Sequence, residues 1–359
     1  MSQSSASKLM QTWPTPIHGD FKITDFSFDS GEKLSELSLH YQTIGSLKVS
    51  VDGETSNAIL IMHGTGGSSN NFLNDNFAGQ LFNPGQILDA QKYFIIIRDG
   101  IGHGESSKPS NSGLRARFPH YQYNDMIHAD YRLLTEHLGI NHVRLIMGTS
   151  MGGMHTWLWG ETYPEFMDAL MPLASLPIQI SGRNRMWRKM VMESIRSDPA
   201  WKGGDYSSDA PPVSGLTSAM NIMIIMGSAP LYFQLEYPTR DLADKWLEDQ
   251  IREGFRTTDA NDLLYALDAS HEYDPKPDLG KIKAPLTAVN SADDQINPPE
   301  LEVLETEVRD GMKEGLGKAV VLPITKHTRG HGSHTIAKLW KKYLGELLVK
   351  TERKSTISR

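Results

Sequence analysis

Six residues near the middle of the chain, Gly148-Thr149-Ser150-Met151-Gly152-Gly153, carry the clearest chemical signal. They follow a run at 143–147 that reads as a buried strand and precede a helical pattern over 154–163. A serine set between glycines on a sharp strand-to-helix turn is lifted clear of the backbone around it. Glycine is required because the turn is strained and the helix must approach the strand closely. The following amide, on Met151, stands at a helix N-terminus, where free N–H groups and the helix dipole favour a developing negative charge. The chemistry this suits is attack by the Ser150 hydroxyl on a carbonyl carbon.

A serine hydroxyl is a weak nucleophile and needs a base that is itself oriented by a third group. In this strand–turn–helix context those groups are expected later in the chain, acid before histidine. Two loops after predicted strands supply them: 289–298, with Asp293 and Asp294, and 325–334, with His327, His331 and His334. The adjacent aspartates cannot both face one histidine. An Asp-x-x-x-Pro spacing, common in acid loops of this kind, favours Asp294 with Pro298. Asp293 is the alternative, or else a turn residue. Only His331 has glycine on both sides, which suits a sharply turning loop. His334 is expected to begin the last helix and His327 to lie near the strand end. A second oxyanion amide is expected from the loop His63-Gly64-Thr65-Gly66-Gly67, with Thr65 as the donor and Gly64 beside the substrate. His63 reads as a hydrogen-bonded structural residue.

Other chemistries find no support. The chain has no cysteine, which excludes disulfides, cysteine nucleophiles and thiolate metal sites. The histidines are scattered, without metal-ligand spacing, so no metal is expected. The Gly-rich stretch 99–106 lacks the following helix of a dinucleotide fingerprint, so no cofactor is expected either. A formal net charge of −7 leaves no electrostatic footprint for nucleic acid or an anionic membrane. The first twenty residues hold no apolar run of signal-peptide length, so a cytoplasmic location is expected.

These residues need elements to position them. Short apolar runs at 58–62, 93–97, 143–147, 169–173, 285–289 and 319–323 read as strands covered on both faces. An earlier stretch, 21–44, alternates better and reads as antiparallel edge strands. Helical patterns at 123–138 and 333–348 fit between and after them. The alternation predicts a mostly parallel sheet with helices on both faces. Residues 177–279, helical and rich in Met and Trp, read as an inserted helical cap on a core formed by 20–176 and 280–349. Residues 1–19 and 350–359 are expected to be poorly ordered.

The chain resembles the α/β-hydrolase superfamily, and more narrowly its homoserine O-acetyltransferase-like branch. The resemblance rests on Leu39-His-Tyr-Gln-Thr-Ile-Gly45, the turn at Gly148–Met154 with Trp159 and Tyr163-Pro164, Asp198-Pro-Ala-Trp-Lys-Gly-Gly-Asp-Tyr206, and Pro212-Val-Ser-Gly-Leu216. It implies Ser150 as nucleophile, Asp294 and His331 as partners, and Thr65 and Met151 as oxyanion amides. One departure bears on the substrate. Where the transacetylases carry Ala-Arg to hold the homoserine carboxylate, this chain has Ala219-Met220. A thioether cannot make that charge-assisted contact. Met220 is therefore expected to line an apolar substrate pocket, unless another cation such as Arg183 or Arg185 takes the role. The expected activity is hydrolysis of a small, rather apolar ester, or an amide or lactone. Transfer of an acetyl group from acetyl-CoA to an alcohol such as homoserine is the alternative. A non-catalytic small-molecule receptor is a third reading, and a homodimer through the cap is a further expectation.

Overall fold

The apolar runs form one eight-stranded sheet, and strand periodicity splits their side chains between two cores. The computed structural model describes residues 13–352. The strands are β1 (Ile17–Ser27), β2 (Lys33–Ile44), β3 (Ala58–Met62) and β4 (Phe94–Arg98), followed by β5 (Leu145–Thr149), β6 (Leu170–Leu173), β7 (Leu286–Ser291) and β8 (Gly317–Leu322). Their order across the sheet is β1-β2-β4-β3-β5-β6-β7-β8. Both pairings of β2 are antiparallel and every later pairing is parallel.

The helices outside the β6–β7 connection are α1 (Ala78–Leu81), α2 (Tyr123–Arg132) and α3 (Met151–Thr162), with α9 (Val303–Asp310) and α10 (Ala337–Lys350) near the C-terminus. Leu60, Met62, Ile96 and Ile146 point into a core shared with α2, α3 and α9. Their neighbours Ile59, Ile61, Ile97 and Met147 point into the opposite core, with α1 and α10. Successive strand side chains face opposite ways, so a strand apolar at every position is buried on both sides.

Between β6 and β7 the chain runs through α4 (Gly182–Arg196), α5 (Val213–Gly227), α6 (Pro230–Glu236), α7 (Arg240–Thr257) and α8 (Ala260–Asp268). Of these, α4, α5 and α8 contribute to the α2–α3 core, whereas α6 and α7 have no fully buried residue. Among the described residues no single helix is long and apolar enough to cross a membrane.

Two expectations are corrected at the edges. Trp13 is buried and β1 starts at Ile17, so ordered structure begins ahead of residue 20, because β1 pairs along almost the whole of β2. Residues 1–12 and 353–359 lie outside the described part. The last α-helix starts at Ala337 rather than at 333. A 3₁₀ turn at Gly332–Thr335 ends on Ile336 with φ −105° and ψ 85°, which breaks helical continuity.

Candidate active site

The turn between β5 and α3 places Ser150 at φ +55° and ψ −112°, a conformation rare for a residue with a side chain. Its neighbours show why it persists. A Cβ on Gly148 would lie 2.2 Å from the Gly152 carbonyl oxygen, one on Gly152 2.1 Å from that of Met62, and one on Gly153 2.4 Å from that of Leu173. Three glycines thus let α3 start directly against the ends of β3, β5 and β6. The Ser150 N–H donates to the Leu173 carbonyl at 2.9 Å and its own carbonyl accepts from Met154 N–H at 2.9 Å, fixing the turn from both sides.

The loops after β7 and β8 converge on this serine. His331 Nε2 is 2.8 Å from Ser150 Oγ, and His331 Nδ1 is 2.8 Å from Asp294 Oδ2. Asp294 Oδ1 accepts the N–H groups of Ile296 (2.8 Å) and Asn297 (3.2 Å), while Asn297 Nδ2 donates to Oδ2 at 3.0 Å. Burial works to raise the Asp294 carboxyl. The charge and hydrogen bond of His331, the Asn297 amide and the Ile296 N–H outweigh it and hold the carboxyl below its ordinary range. Gly330, at φ +60°, turns the chain just before His331, and a Cβ there would lie 2.9 Å from the Ser228 carbonyl oxygen.

The alternatives fall elsewhere. Asp293 accepts the Ser291 hydroxyl, inside its own turn. His334 packs edge-on against the His331 ring, centroids 5.3 Å apart. Burial, with the neighbouring His331 charge, holds it down to about 3, far too low for a general base at neutral pH. His327 has an exposed position whose N–H donates to Thr325.

The loop after β3 passes beside the serine, where a Cβ on Gly64 would lie 3.1 Å from Ser150 Cβ. Buried His63 sets the direction of that loop. Its Nε2 accepts the Gly100 N–H at 3.0 Å, so the proton sits on Nδ1, which donates to the Gly64 carbonyl at 2.8 Å. In a trans peptide the Thr65 N–H then points away from the His63 ring. Below the loop, Arg98 pairs with Asp130 at 2.8 Å and donates to His155 at 2.8 Å, all three buried. Burial, then neighbouring positive charge, holds His63 and His155 well below the ordinary histidine range.

Two cavities open at Ser150. The larger, about 410 Å³, is walled by Met154, Ile178, Ile180 and Ile296 among others, with Arg183 and Arg188. The smaller, about 210 Å³, lies over Gly64–Gly67 and reaches Phe72, Phe77 and His334. Met220 lines neither cavity, which corrects the expectation placed on it. Its sulfur packs against α7, where a Cβ on Gly254 would lie 2.1 Å from it. Helix α5 is apolar almost all round, so its sequence did not show which face meets α7. Of the cations considered, Arg183 reaches the cavity and Arg185 does not. Sequence reasoning missed Arg188 and Asn297. Arg188 had a signal: with Val191, Met192 and Ile195 it completes the buried stripe of α4 at helical spacing, where an apolar residue is the rule.

Comparison with known proteins agrees with this architecture. A family described as alpha/beta hydrolase fold matches residues 57–305. A homoserine O-acetyltransferase of Haemophilus influenzae is 30% identical over 297 residues, covering 75% of this chain and 81% of that protein. The crystal structure of an acetylester hydrolase from Corynebacterium glutamicum superposes with a TM-score of 0.80 at 22% identity, over 93% of this chain and 96% of that one. A homoserine O-acetyltransferase from Bacillus anthracis superposes with a TM-score of 0.80 at 19% identity, over 96% and 99%. At those identities the structural likeness speaks to fold, whereas the family match and the Haemophilus relative speak to descent. The chain belongs to the α/β-hydrolase fold family, in its homoserine O-acetyltransferase-like branch.

Proposed function

We propose that the protein is a serine acyl-transfer enzyme whose final acceptor is water, that is, an ester hydrolase. The observation that carries the acyl-enzyme at the centre of this reading is the unbroken chain Ser150–His331–Asp294, with both contacts at 2.8 Å. Ser150 Oγ attacks the ester carbonyl while His331 Nε2 takes its proton. The oxyanion is received by the Thr65 and Met151 amides. His331 returns the proton to the leaving alcohol, leaving an acyl-serine. Water then attacks, His331 takes its proton, and the acid departs as Ser150 is restored. Asp294, held ionised by Asn297 and Ile296, keeps the His331 proton on Nδ1 and balances the imidazolium.

Transfer to an alcohol uses the same acyl-enzyme and differs only in what is admitted at deacylation. The names of the relatives favour that second reading. The first is favoured by α5, which brings no cation to Ser150: at the transacetylases' arginine position it carries Met220, packed on Gly254 and outside both cavities. The test is hydrolysis of 4-nitrophenyl acetate through hexanoate with and without homoserine, beside an assay with acetyl-CoA as donor. Turnover indifferent to added alcohol is the expected result. Acetyl-CoA-dependent homoserine acetylation at a comparable rate overturns it in favour of transfer.

A further inference from the structure

Arg188 is a guanidinium on the buried face of α4, 5% exposed, and it lines the larger cavity at Ser150. Its hydrogen-bond partners are neutral: Nε donates to Asn184 Oδ1 at 3.1 Å and Nη1 to Ser270 Oγ at 3.1 Å. Among the described residues no carboxylate stands within ion-pair reach of it. A buried charge is normally paired, and arginine cannot escape by losing its proton. Beside it the Tyr123 hydroxyl, on a side chain 2% exposed, lies close enough to feel Arg188, Ser270 and Thr65 yet makes no well-formed hydrogen bond. The Thr65 hydroxyl, on the oxyanion loop, is likewise buried and unpartnered. Unused donors thus run from the guanidinium toward the loop beside Ser150.

The charge of the cavity is predominantly positive. Its walls include Arg188 inside and the exposed Arg183 near the mouth, against a single carboxylate, the exposed Glu300. Arg183 is held by donation to the Gln295 carbonyl at 2.9 Å and by stacking over Trp187. No acidic side chain inside the cavity is placed to receive an ammonium.

We propose that Arg188 is a substrate-recognition residue for a carboxylate, so that the ester bound at Ser150 carries a free carboxylate and no ammonium group. The proposal rests on the acyl-enzyme reading and refines its substrate class, replacing a wholly apolar ester. Apolar walls hold the carbon chain while Arg188 takes the charged end, a fixed guanidinium being suited to bidentate carboxylate binding.

Two matched pairs of esters test it: monoethyl glutarate against ethyl hexanoate, with the charge on the acyl side, and 4-acetoxybutanoate against butyl acetate, with the charge on the alcohol side. In the wild type, kcat/KM for the anionic member of at least one pair should exceed its neutral match by about 10- to 100-fold, the range for a buried charge-assisted hydrogen bond. In Arg188→Met that ratio should fall to about one, and Arg188→Lys should keep part of it. Ratios at or below one in both wild-type pairs overturn the proposal, as does a ratio unchanged in Arg188→Met. A readout without turnover separates this from failure of the acyl-enzyme reading. Glutarate should raise the Tm of the wild type and of Ser150→Ala, and 4-aminobutyrate should raise it less. If glutarate gives no shift in Ser150→Ala, or the same shift in Arg188→Met, the carboxylate site is refuted whatever the esterase assay shows.

Discussion

The sheet ends around Ser150 and the helices between β6 and β7 obey different constraints. At the sheet ends, backbone packs on backbone: α3 starts within van der Waals contact of β3, β5 and β6, and three glycines leave no room for side chains. Asp294 and His331 sit on loops whose directions are fixed by hydrogen bonds to Asn297, Ile296 and neighbouring turns. In the α4–α8 region α4, α5 and α8 put buried residues into the core, whereas α6 and α7 have no fully buried residue, α7 adding only the partly buried Ile251 and Phe255. The rigid region presents reacting groups at fixed distances. Helix α4 and the segment before it supply pocket walls, and whether a residue such as Arg188 reaches the cavity depends on which helix face turns inward.

This contrast predicts large losses from small changes at the sheet and milder ones in the cap. The largest is chemical: Ser150→Ala should lower kcat on a verified ester by about 10⁵- to 10⁶-fold with unchanged unfolding, and His331→Ala should match it. Asp294→Asn should lose about 10⁴-fold, and Asp293→Asn and His334→Gln far less. A reversed order within either pair would place the machinery on the wrong loop residue.

Next comes Gly152→Ala. The added methyl meets the Met62 and His63 carbonyl oxygens, so α3 must shift, destabilising the fold by more than about 3 kcal/mol in urea unfolding and disrupting activity with it. Wild-type stability in that variant would show that the turn has slack it lacks here.

Met220→Arg sharpens the comparison from the cap side. Because Met220 packs against Gly254 rather than the cavity, arginine there should destabilise by about 2–3 kcal/mol and bring no homoserine acetylation. A gain of acetylation would move that seam into the substrate pocket.

The smallest effect is a slope. His103, packed against His63, is held down to about 4 by burial, partly opposed by its bond to the Ile101 carbonyl and reinforced by the Arg98 charge. With the folded value below the ordinary 6.5, the unfolded chain binds the extra proton between these limits. Its contribution is therefore fully present above pH 6.5 and is lost as pH falls toward 4, by about 1.4 kcal/mol per pH unit at most. His103→Gln should remove that slope from urea-derived stability measured across pH 4–6.5, and an unaltered slope would mean the ring is protonated in the fold.

Much of the sheet was legible because burial on both faces forces continuous apolar runs, as at Ala58–Met62 and at 94–97. The serine turn was legible because steric demand writes itself directly as glycine. Boundaries were less so: β5 runs two residues further than its apolar run, through Gly148 and Thr149, since backbone pairing with β6 does not require apolar side chains. Met220 was misplaced and Arg188 missed for one reason. In a cap of amphipathic and wholly apolar helices, sequence spacing gives a face but not the element that face meets.

By itself the sequence determined the sheet class, the absence of thiol chemistry, and the residue types that meet at Ser150, because each follows from local sterics or composition. Only the tertiary structure decided that Asp294 rather than Asp293 faces His331, that His63 orients the Gly64 carbonyl, and that Arg188 rather than Met220 stands in the cavity. Those outcomes depend on loops and helices from distant parts of the chain arriving within hydrogen-bond distance, and hydrogen bonds and ion contacts are decided by ångströms that no local pattern encodes.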